Sequence, residues 1–443
     1  MDRKKRRQFH LSEKQLGYAM VLPSLILIVA VVLWPVAQSF YNSLFDYRLN
    51  DPTRSQRMLS STMDLERYVD NYFYIDRQLE NLADETSNPE VEQTIADIRA
   101  GVEEFHSQLI SDEEIKEKVE QIDDLLMSFT PVRDSELKYT KVDNDFAEEY
   151  SKALQSYSEE LTKIAEANQD EAVSQPLQQT ADLLSSTSGN ILESNFVGLA
   201  HYADYLKDAR MWRSLWNTTL FTVVSVSLEL VFGLGIALLI NRSFRGRGLI
   251  RATVLVPWAI PTAVAAMMWR FLYDGQSGVI AHYFEQLNII PDASWLLSTS
   301  AGGMVSIILA DVWKTTPYMA LLLLAGLQTI PTSLYEAANV DGANKWQQFW
   351  RITLPLLKPA IVVALLFRTL DAFRVFDLIY VLTGGGPANA TESISVYAYK
   401  TLFAQQNFGE GSTLSVIVFI CVAIISFIYV KLIGSDLFEG RTK

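Results

Sequence analysis

The sequence predicts an all-α, polytopic membrane protein with six transmembrane helices and an inserted helical domain. Three observations support this fold class. The 443-residue chain contains six apolar runs of membrane-spanning length, residues 48–194 contain no such run, and the acidic charge is concentrated there. Positions 51–200 hold 33 acidic and 12 basic residues, whereas the rest of the chain holds 18 acidic and 25 basic residues. An acidic block therefore interrupts a basic, apolar protein.

The N-terminal residues 1–15 begin with a basic cluster, and an apolar run follows at residues 16–40. Because basic residues favour the cytoplasmic side, we predict a cytoplasmic N-terminus and a first transmembrane helix. A signal peptide is the competing interpretation. The run is longer than a typical signal sequence and lacks a small-residue cleavage site, which favours a retained helix.

Residues 48–194 are predicted to form an acidic, extracytoplasmic helical domain. Apolar residues recur there at spacings of three and four, while Pro and Gly are scarce. This pattern indicates four or five helices in a bundle or hairpins, at about 63–84, 89–111, 113–129 and 145–166. The acidity is typical of a solvated helical surface, although a basic partner or a metal is an alternative explanation.

Residues 212–433 are predicted to contain the other five transmembrane helices. Their apolar runs cover residues 215–240, 253–273, 302–327, 360–382 and 414–432. Pro257 and Pro261 predict a kink in the third helix. Arginines follow the second run at positions 242, 245, 247 and 251, which places that end in the cytoplasm. Six spans then put both termini on the cytoplasmic side of the inner membrane.

The polar segment at residues 328–359 separates the fourth and fifth runs. Ser333 and Glu336 have the spacing of a capping box, and Gly342 is placed to end the short helix that they would begin. Pro355 and Pro359 are expected to mark the return into the bilayer. On shape alone, this segment is also compatible with an ordinary amphipathic loop.

The residues of this segment resemble the EAA signature of permease subunits of ABC importers, with the spacing of the sugar-importer branch. The resemblance implies a coupling helix that docks on a separate, dimeric ATP-binding subunit. It assigns this role to Glu336, Ala337, Ala338, Asp341, Gly342, Ala343, Leu354 and Pro355. It also implies a second homologous permease and an extracytoplasmic sugar-binding protein as partners, and the lipid bilayer as surroundings.

The fifth run carries Arg368, Asp371, Arg374 and Asp377 at three-residue steps. Charges inside a membrane usually face a cavity or one another. One interpretation is two self-neutralising pairs, Arg368–Asp371 and Arg374–Asp377. The other is a sugar site. The resemblance to maltose-type permeases implies sugar contacts at Arg368, Asp371, Ala372 and Val375, all on one helical face.

The sequence from Phe367 to Pro387 resembles trehalose and α-glucoside permeases, which implies a disaccharide such as trehalose or maltose as substrate. Glu229, within the second run, is a further intramembrane charge, and the arginines of the fifth run are candidate partners for it. An importer for a non-sugar solute is an alternative, but the spacing after Gly342 and the Gly-Gly-Gly-Pro turn at residues 384–387 argue against it.

Several classes of function are disfavoured. The chain has no Gly-Lys dipeptide and hence no P-loop, so ATP hydrolysis is expected in a partner subunit and no catalytic residue is assigned. Four histidines and the single Cys421 have no ligand spacing, and we expect no metal, no cofactor and no nucleic-acid partner. A membrane sensor with an external helical domain is another alternative, but no internal segment is long enough for a signalling domain.

Overall fold

The computed structural model describes residues 12–86, 88–168, 171–242 and 245–439. The chain forms two compact units. Phe45–Val197 is one unit, called the inserted unit below, and the described residues before Phe45 and after Val197 form the other, called the membrane unit. Most of the basic N-terminal cluster, including His10, lies outside the described residues.

The first span is a helix with one irregular turn. It comprises α1 (Glu13–Ile28), a π-helical turn (Val29–Leu33) and α2 (Trp34–Asn42). Pro35 has no N–H to donate to the preceding turn, and the wider π-helical turn lies directly before it. Phe40 of α2 packs edge-on against Phe419 later in the membrane unit, with ring centroids 5.7 Å apart.

The inserted unit is mainly helical, as its periodicity predicts. Its helices are α3 (Leu65–Glu85), α4 (Pro89–Leu109), α5 (Glu113–Met127), α6 (Ser135–Lys138), α7 (Asn144–Ala167) and α8 (Glu171–Ser188). A short 3-10 helix, Pro52–Arg54, precedes them. Asp64, Asn88 and Asp112 accept backbone N–H bonds at the starts of α3, α4 and α5, so side-chain caps define these boundaries.

A small antiparallel sheet, absent from the sequence-based prediction, lies in the inserted unit. Its strands are β1 (Thr62–Asp64), β2 (Tyr139–Lys141) and β3 (Ile191–Leu192), and β1 is central. Strands of two or three residues are too short to show an alternating pattern in the sequence. The core of the unit consists of apolar faces of the helices, including Leu79, Ile98, Leu154 and Leu184.

Asn195 joins the two ends of the inserted unit. Its side-chain Nδ2 donates to the carbonyls of Asp46 and Gln56, at 3.0 and 2.7 Å, and its Oδ1 accepts from the N–H of Met58 at 2.8 Å. The residue is 7% exposed. Because three hydrogen bonds of one amide hold residues more than a hundred positions apart, Asn195 closes the unit where the chain enters and leaves it.

After Val197, the described residues of the membrane unit form thirteen more α-helices. The first group is α9 (Ala200–Lys207), α10 (Ala209–Asn241), α11 (Arg247–Ala259), α12 (Thr262–Leu272), α13 (Val279–Gln286), α14 (Trp295–Ser298) and α15 (Ser300–Leu327). The second group is α16 (Thr332–Val340), α17 (Lys345–Gln348), α18 (Leu354–Phe373), α19 (Asp377–Leu382), α20 (Ile394–Tyr399) and α21 (Phe408–Glu439). π-helical turns at Phe349–Thr353 and Lys400–Ala404 join α17 to α18 and extend α20.

Five helices of the described chain are long and apolar enough to cross a membrane, and a sharply bent pair makes six when it is counted as one span. That pair is α11 and α12, which meet at 88°. The predicted kink in the third span is therefore a break. Ile260 and Pro261 have extended backbones between the helices, and Pro261 has no N–H with which to continue α11.

The fifth span differs from its predicted range of 360–382. The helical segment runs from Lys345 to Phe373, so it begins before Pro355 and Pro359 and ends before Arg374. Pro355 and Pro359, which were expected to mark the return into the bilayer, lie within this helical segment. Pro355 lies in the first turn of α18 directly after the π-helical turn, and Pro359 is accommodated inside the helix. Residues 374–376 then separate α18 from α19.

Close packing brings the fourth and fifth spans together. A Cβ atom at Gly326 of α15 would lie 2.4 Å from the Cβ of Ala360 and 2.8 Å from a methyl of Leu357 on α18. Only glycine permits this approach, which is typical of helix contacts in membranes. The contact lies near the ends of α15 and α18 that flank α16.

We predict that Asn195→Ala destabilises the inserted unit. In a fragment of residues 45–197, the free energy of unfolding is expected to fall by about 1–3 kcal/mol, because buried backbone groups lose their partners. Urea unfolding followed by far-ultraviolet circular dichroism measures this change. Gln93→Ala is the control, since Gln93 makes an exposed contact to Asp97 within one helix. Equal stabilities of the two variants would contradict the role assigned to Asn195.

Candidate functional site

A cavity of about 360 Å³ lies between helices of the membrane unit. It is lined by Thr262, Asp311, Lys314, Thr315, Arg368, Asp371, Ala372, Arg374, Val375, Phe376, Asp377 and Leu378. The structure thus brings together all four residues for which a sugar contact was predicted. It adds residues of α12, α15 and α19 that the resemblance did not indicate. The charged residues Asp311 and Lys314 were recognisable in the sequence as polar groups within an apolar run.

Arg368 is the most constrained side chain of the cavity. Its Nε and Nη2 donate to the two carboxylate oxygens of Glu229, at 2.6 and 2.9 Å. Nη2 also donates to Asp311, and Nη1 donates to Asp371 at 3.2 Å. The residue is 1% exposed. One guanidinium on α18 therefore binds carboxylates of α10, α15 and its own helix, and we call these four residues the Arg368 cluster.

The geometry of the Arg368 cluster is that of a strong ion pair. Glu229 is fully buried and meets the guanidinium in the two-point arrangement that suits a carboxylate. The Thr315 hydroxyl donates a hydrogen bond to the Glu229 carboxylate, at 2.7 Å. Since a guanidinium has five N–H groups, these contacts leave one N–H of Nη1 for another acceptor. The cluster identifies Arg368 as the partner of Glu229.

The two self-neutralising pairs considered from the sequence are only partly present. Arg368 does approach Asp371, but its main partners lie on other helices. Arg374 instead donates from Nε to the carbonyl of Leu370 at 3.1 Å, and within the described chain it forms no ion pair with Asp377. Helical spacing placed these charges near one another, but the tertiary structure selects different partners.

The remaining predicted residues differ in their exposure to the cavity. The Asp371 side chain is 65% exposed, Ala372 is buried and Val375 is half-buried. Val375 does not lie on the same helical face as the others, because α18 ends at Phe373. The predicted single face was wrong at this position. Next to Val375, the ring of Phe376 stacks with that of Tyr380 at a centroid distance of 5.2 Å.

The predicted coupling segment forms the short helix α16, of nine residues. Gly342 follows its end with φ of 77°, a left-handed conformation that favours glycine. The expected capping box of Ser333 and Glu336 was wrong, because α16 begins after Pro331 without a side-chain cap. A capping box is present one helix later, between Asn344 and Gln347.

The predicted coupling residues are largely at the surface. Glu336, Ala337, Asp341, Gly342 and Pro355 are exposed, while Ala338, Ala343 and Leu354 are half-buried. The buried Gln348 fixes the end of the segment. Its Nε2 donates to the Asn339 side chain at 2.6 Å and to the Ala343 carbonyl at 3.0 Å. Val340, 89% exposed, and Leu334 add apolar surface to α16.

A second buried ion cluster was not recognised in the sequence. Glu392 is fully buried and receives two hydrogen bonds from Arg210, at 2.8 and 3.0 Å, and one from Lys400 at 2.8 Å. Arg210 also lies over the Tyr397 ring, 4.1 Å from its centroid. Glu392 stands in a polar stretch after the Gly-Gly-Gly-Pro turn, where a carboxylate gives no sign of burial.

The inserted unit has a separate cavity of about 280 Å³, lined by residues that include Tyr68, Tyr72, Asp76 and His106. The Tyr68 hydroxyl and the His106 Nδ1 are 2.8 Å apart. Burial lowers the pKa of His106, so its imidazole is neutral at pH 7. Among the described residues, no group of three or more His, Cys, Asp or Glu side chains is arranged to hold a metal ion.

Comparisons with known proteins concern the membrane unit. Residues 229–438 match the family described as binding-protein-dependent transport system inner membrane component. The chain is 48% identical over 241 residues to the trehalose/maltose transport system permease protein of Thermococcus litoralis, covering 54% of this chain and 81% of that protein. It is 46% identical over 243 residues to the trehalose transport system permease protein of Mycobacterium tuberculosis, covering 55% and 76%.

A third relative carries a different substrate name. The sulfoquinovosyl glycerol transport system permease protein of Agrobacterium fabrum is 40% identical over 250 residues, covering 56% of this chain and 80% of that protein. The family match begins at residue 229 and so lies wholly after the inserted unit.

We predict that Arg368→Met destabilises the membrane unit strongly. Removing the guanidinium leaves Glu229 and Asp311 buried without a cation, which costs about 3–5 kcal/mol. Unfolding in mixed micelles with increasing dodecyl sulfate, followed by circular dichroism, measures the loss. Arg374→Met is the matched control, because Arg374 is exposed and, in the described chain, its side chain donates to the Leu370 carbonyl rather than to a carboxylate. Similar losses of stability for the two variants would contradict a structural role of the Arg368 cluster.

Proposed function

This chain belongs to the family of binding-protein-dependent transport system inner membrane components, and from that premise we propose that it is a permease subunit of a disaccharide importer, with trehalose, maltose or a related α-glucoside as substrate. Two relatives with the highest identities above are named for trehalose or maltose transport. The observation that carries the proposal is the cavity at the Arg368 cluster, whose polar lining suits a polyol.

The sugar site is proposed at Asp371, Ala372, Val375 and Arg368. Asp371 offers an exposed carboxylate that accepts hydroxyl hydrogen bonds, while the free N–H of Arg368 donates one. Ala372 and Val375 contribute apolar wall, against which the C–H face of a sugar ring packs. Since most donors of Arg368 are occupied by Glu229 and Asp311, we assign the main recognition role to Asp371 and a positioning role to Arg368.

The cavity favours an uncharged ligand over an anion. Its lining contains the carboxylates of Asp311, Asp371 and Asp377 and the cations of Lys314, Arg368 and Arg374, so the formal charges balance. The Arg368 guanidinium is already paired with Glu229 and Asp311, so this residue offers little positive charge to an acidic sugar. A neutral disaccharide gains hydrogen bonds here without leaving a charge unpaired.

Transport is proposed to draw its energy from a separate, dimeric ATP-binding subunit. The exposed α16 is the docking element, with Glu336, Ala337, Ala338, Asp341, Gly342 and Ala343 at the contact and Leu354 and Pro355 at its base. A second homologous permease would complete the pathway, and an extracytoplasmic binding protein would deliver the sugar. When the ATP-binding subunits close, α16 moves with them, and the cavity alternates between the two sides of the membrane.

The topology follows from the same proposal. Both termini and α16 lie on the cytoplasmic side, and the inserted unit, which contains the predicted domain 48–194, lies outside. An external unit next to the first span can hold the binding protein, act as a spacer or clamp the subunits together. Loss of binding-protein association when this unit is deleted would favour the first role.

We predict that Asp371→Asn abolishes sugar-stimulated ATP hydrolysis without preventing assembly. Its side chain is exposed to the cavity, so the change leaves no buried charge unpaired and the free energy of unfolding is expected to change by less than about 1 kcal/mol. The measurement is hydrolysis by the reconstituted complex with a panel of disaccharides. Asp377→Asn is the matched control on the same cavity wall. Full stimulation of the Asp371→Asn complex would refute the assignment.

We predict that Gly342→Val impairs transport while membrane insertion remains normal. A β-branched residue is strained at the φ of 77° that Gly342 adopts after α16. We therefore expect the chain to leave the docking helix in a different direction. Gly342→Asn is the control, since asparagine tolerates the left-handed region. Sugar uptake at matched expression is measured for both variants. Equal uptake by the two would show that this turn does not contribute to coupling.

A further inference from the structure

Lys314 connects the cavity to the break in the third span. The residue lies on α15, is 7% exposed and lines the cavity together with Thr262, the first residue of α12. Its Nζ donates to the carbonyl of Ile260 at 2.8 Å and to that of Trp258 at 3.4 Å. Trp258 lies in the last turn of α11, and Ile260 lies directly after the helix. One ammonium is thus part of the cavity wall and of the joint between α11 and α12.

These carbonyls need an outside donor because the backbone cannot supply one. In a continuous helix, Trp258 and Ile260 would accept from the N–H groups four residues later, but the chain turns by 88° after Ala259. Pro261 has no N–H to contribute. Unpaired backbone carbonyls are costly at membrane depth, and a cation at the C-terminal end of a helix is also favoured by the helix dipole.

The Lys314 ammonium is not committed to a carboxylate. Asp311 lies three residues earlier on the same helix, but it binds Arg368. In the described part of the chain, the contacts of Lys314 within hydrogen-bond distance are the two carbonyls. An ammonium has three N–H donors, so one remains for an oxygen atom that enters the cavity. The longer contact, to Trp258, is the weaker of the two carbonyl bonds.

We propose that Lys314 is a positioning residue that links occupancy of the cavity to the angle between α11 and α12. A hydroxyl of the ligand that accepts from Lys314 draws the ammonium toward the cavity and away from the Trp258 carbonyl. The end of α11 then loses its donor, and the break is free to change its angle. This inference rests on the proposed function, because it takes the cavity to be the place where the sugar binds.

The test is ATP hydrolysis by the reconstituted complex, measured with and without trehalose and maltose. Lys314→Met keeps the length of the side chain but removes its donors. It is expected to raise sugar-free hydrolysis by about tenfold, which corresponds to about 1.4 kcal/mol. The ratio of hydrolysis with sugar to hydrolysis without sugar is then expected to be close to one. Lys314→Arg, which keeps a cationic donor, is expected to restore low sugar-free hydrolysis and stimulation.

Arg270→Met is the matched control. Arg270 on α12 also donates to a carbonyl, that of Val381 at 3.4 Å, but it does not line the cavity. Its variant is expected to keep the wild-type ratio of stimulated to sugar-free hydrolysis. An equal rise in sugar-free hydrolysis for Arg270→Met would overturn the inference, because general loosening of α12 would then explain both. If Lys314→Met does not assemble, Lys314→Gln, which keeps a neutral donor, must also raise sugar-free hydrolysis, but by less.

The outcomes separate the inference from the function beneath it. A wild-type complex that no sugar stimulates contradicts the proposed function. A wild-type complex that is stimulated, with a Lys314→Met variant that raises only the sugar concentration required and leaves sugar-free hydrolysis unchanged, overturns the inference alone. In that case Lys314 is a sugar ligand with no role at the break.

Discussion

The membrane unit depends on one buried guanidinium. Arg368 of α18 has Glu229 of α10 and Asp311 of α15 as its buried charged partners, and each of the three residues is nearly or fully inaccessible. A buried ion pair gains little over apolar packing, but losing one member is expensive. Three helices rich in Leu, Val and Ile can pack in several registers, because lipid solvates such surfaces equally well. Only one register lets both carboxylates reach Arg368, and we infer that the cluster selects it.

This constraint also divides the roles of the polar residues around the cavity. Because Glu229 and Asp311 occupy most donors of Arg368, the carboxylate of Asp371 is the group of the cluster that is exposed in the cavity. The irregular backbone around the cavity fits the same pattern. Non-helical segments are tolerated at membrane depth where they line a polar cavity, and residues 260–261 and 374–376 lie beside this one.

Much of the fold could be predicted because long apolar runs and helical periodicity are local signals. Partners of charges are not local, so the sequence marked Glu229 and Arg368 as costly residues without showing that they meet. Pro257 and Pro261 indicated a bend, but the donor to the carbonyls at the bend is Lys314, more than fifty positions later. The helix that continues through Pro355 follows a π-helical turn, and such a turn has no pattern that the sequence shows. The sequence around Glu392 gave no sign of its burial, since its partners Arg210 and Lys400 are brought to it by the tertiary structure.

The two ion clusters and the position of α16 suggest how a movement of α16 can be transmitted to the helices that line the cavity. α10 carries Glu229 and Arg210, so it is tied to α18 through Arg368 and to the segment before α20 through Glu392. α16, by contrast, is largely exposed; residues 328–331 join it to α15, and α17 with the following π-helical turn joins it to α18. Where those helices flank it, Gly326 lets them touch Leu357 and Ala360 directly. We infer that a displacement of α16 would act on both helices that supply Asp311 and Arg368.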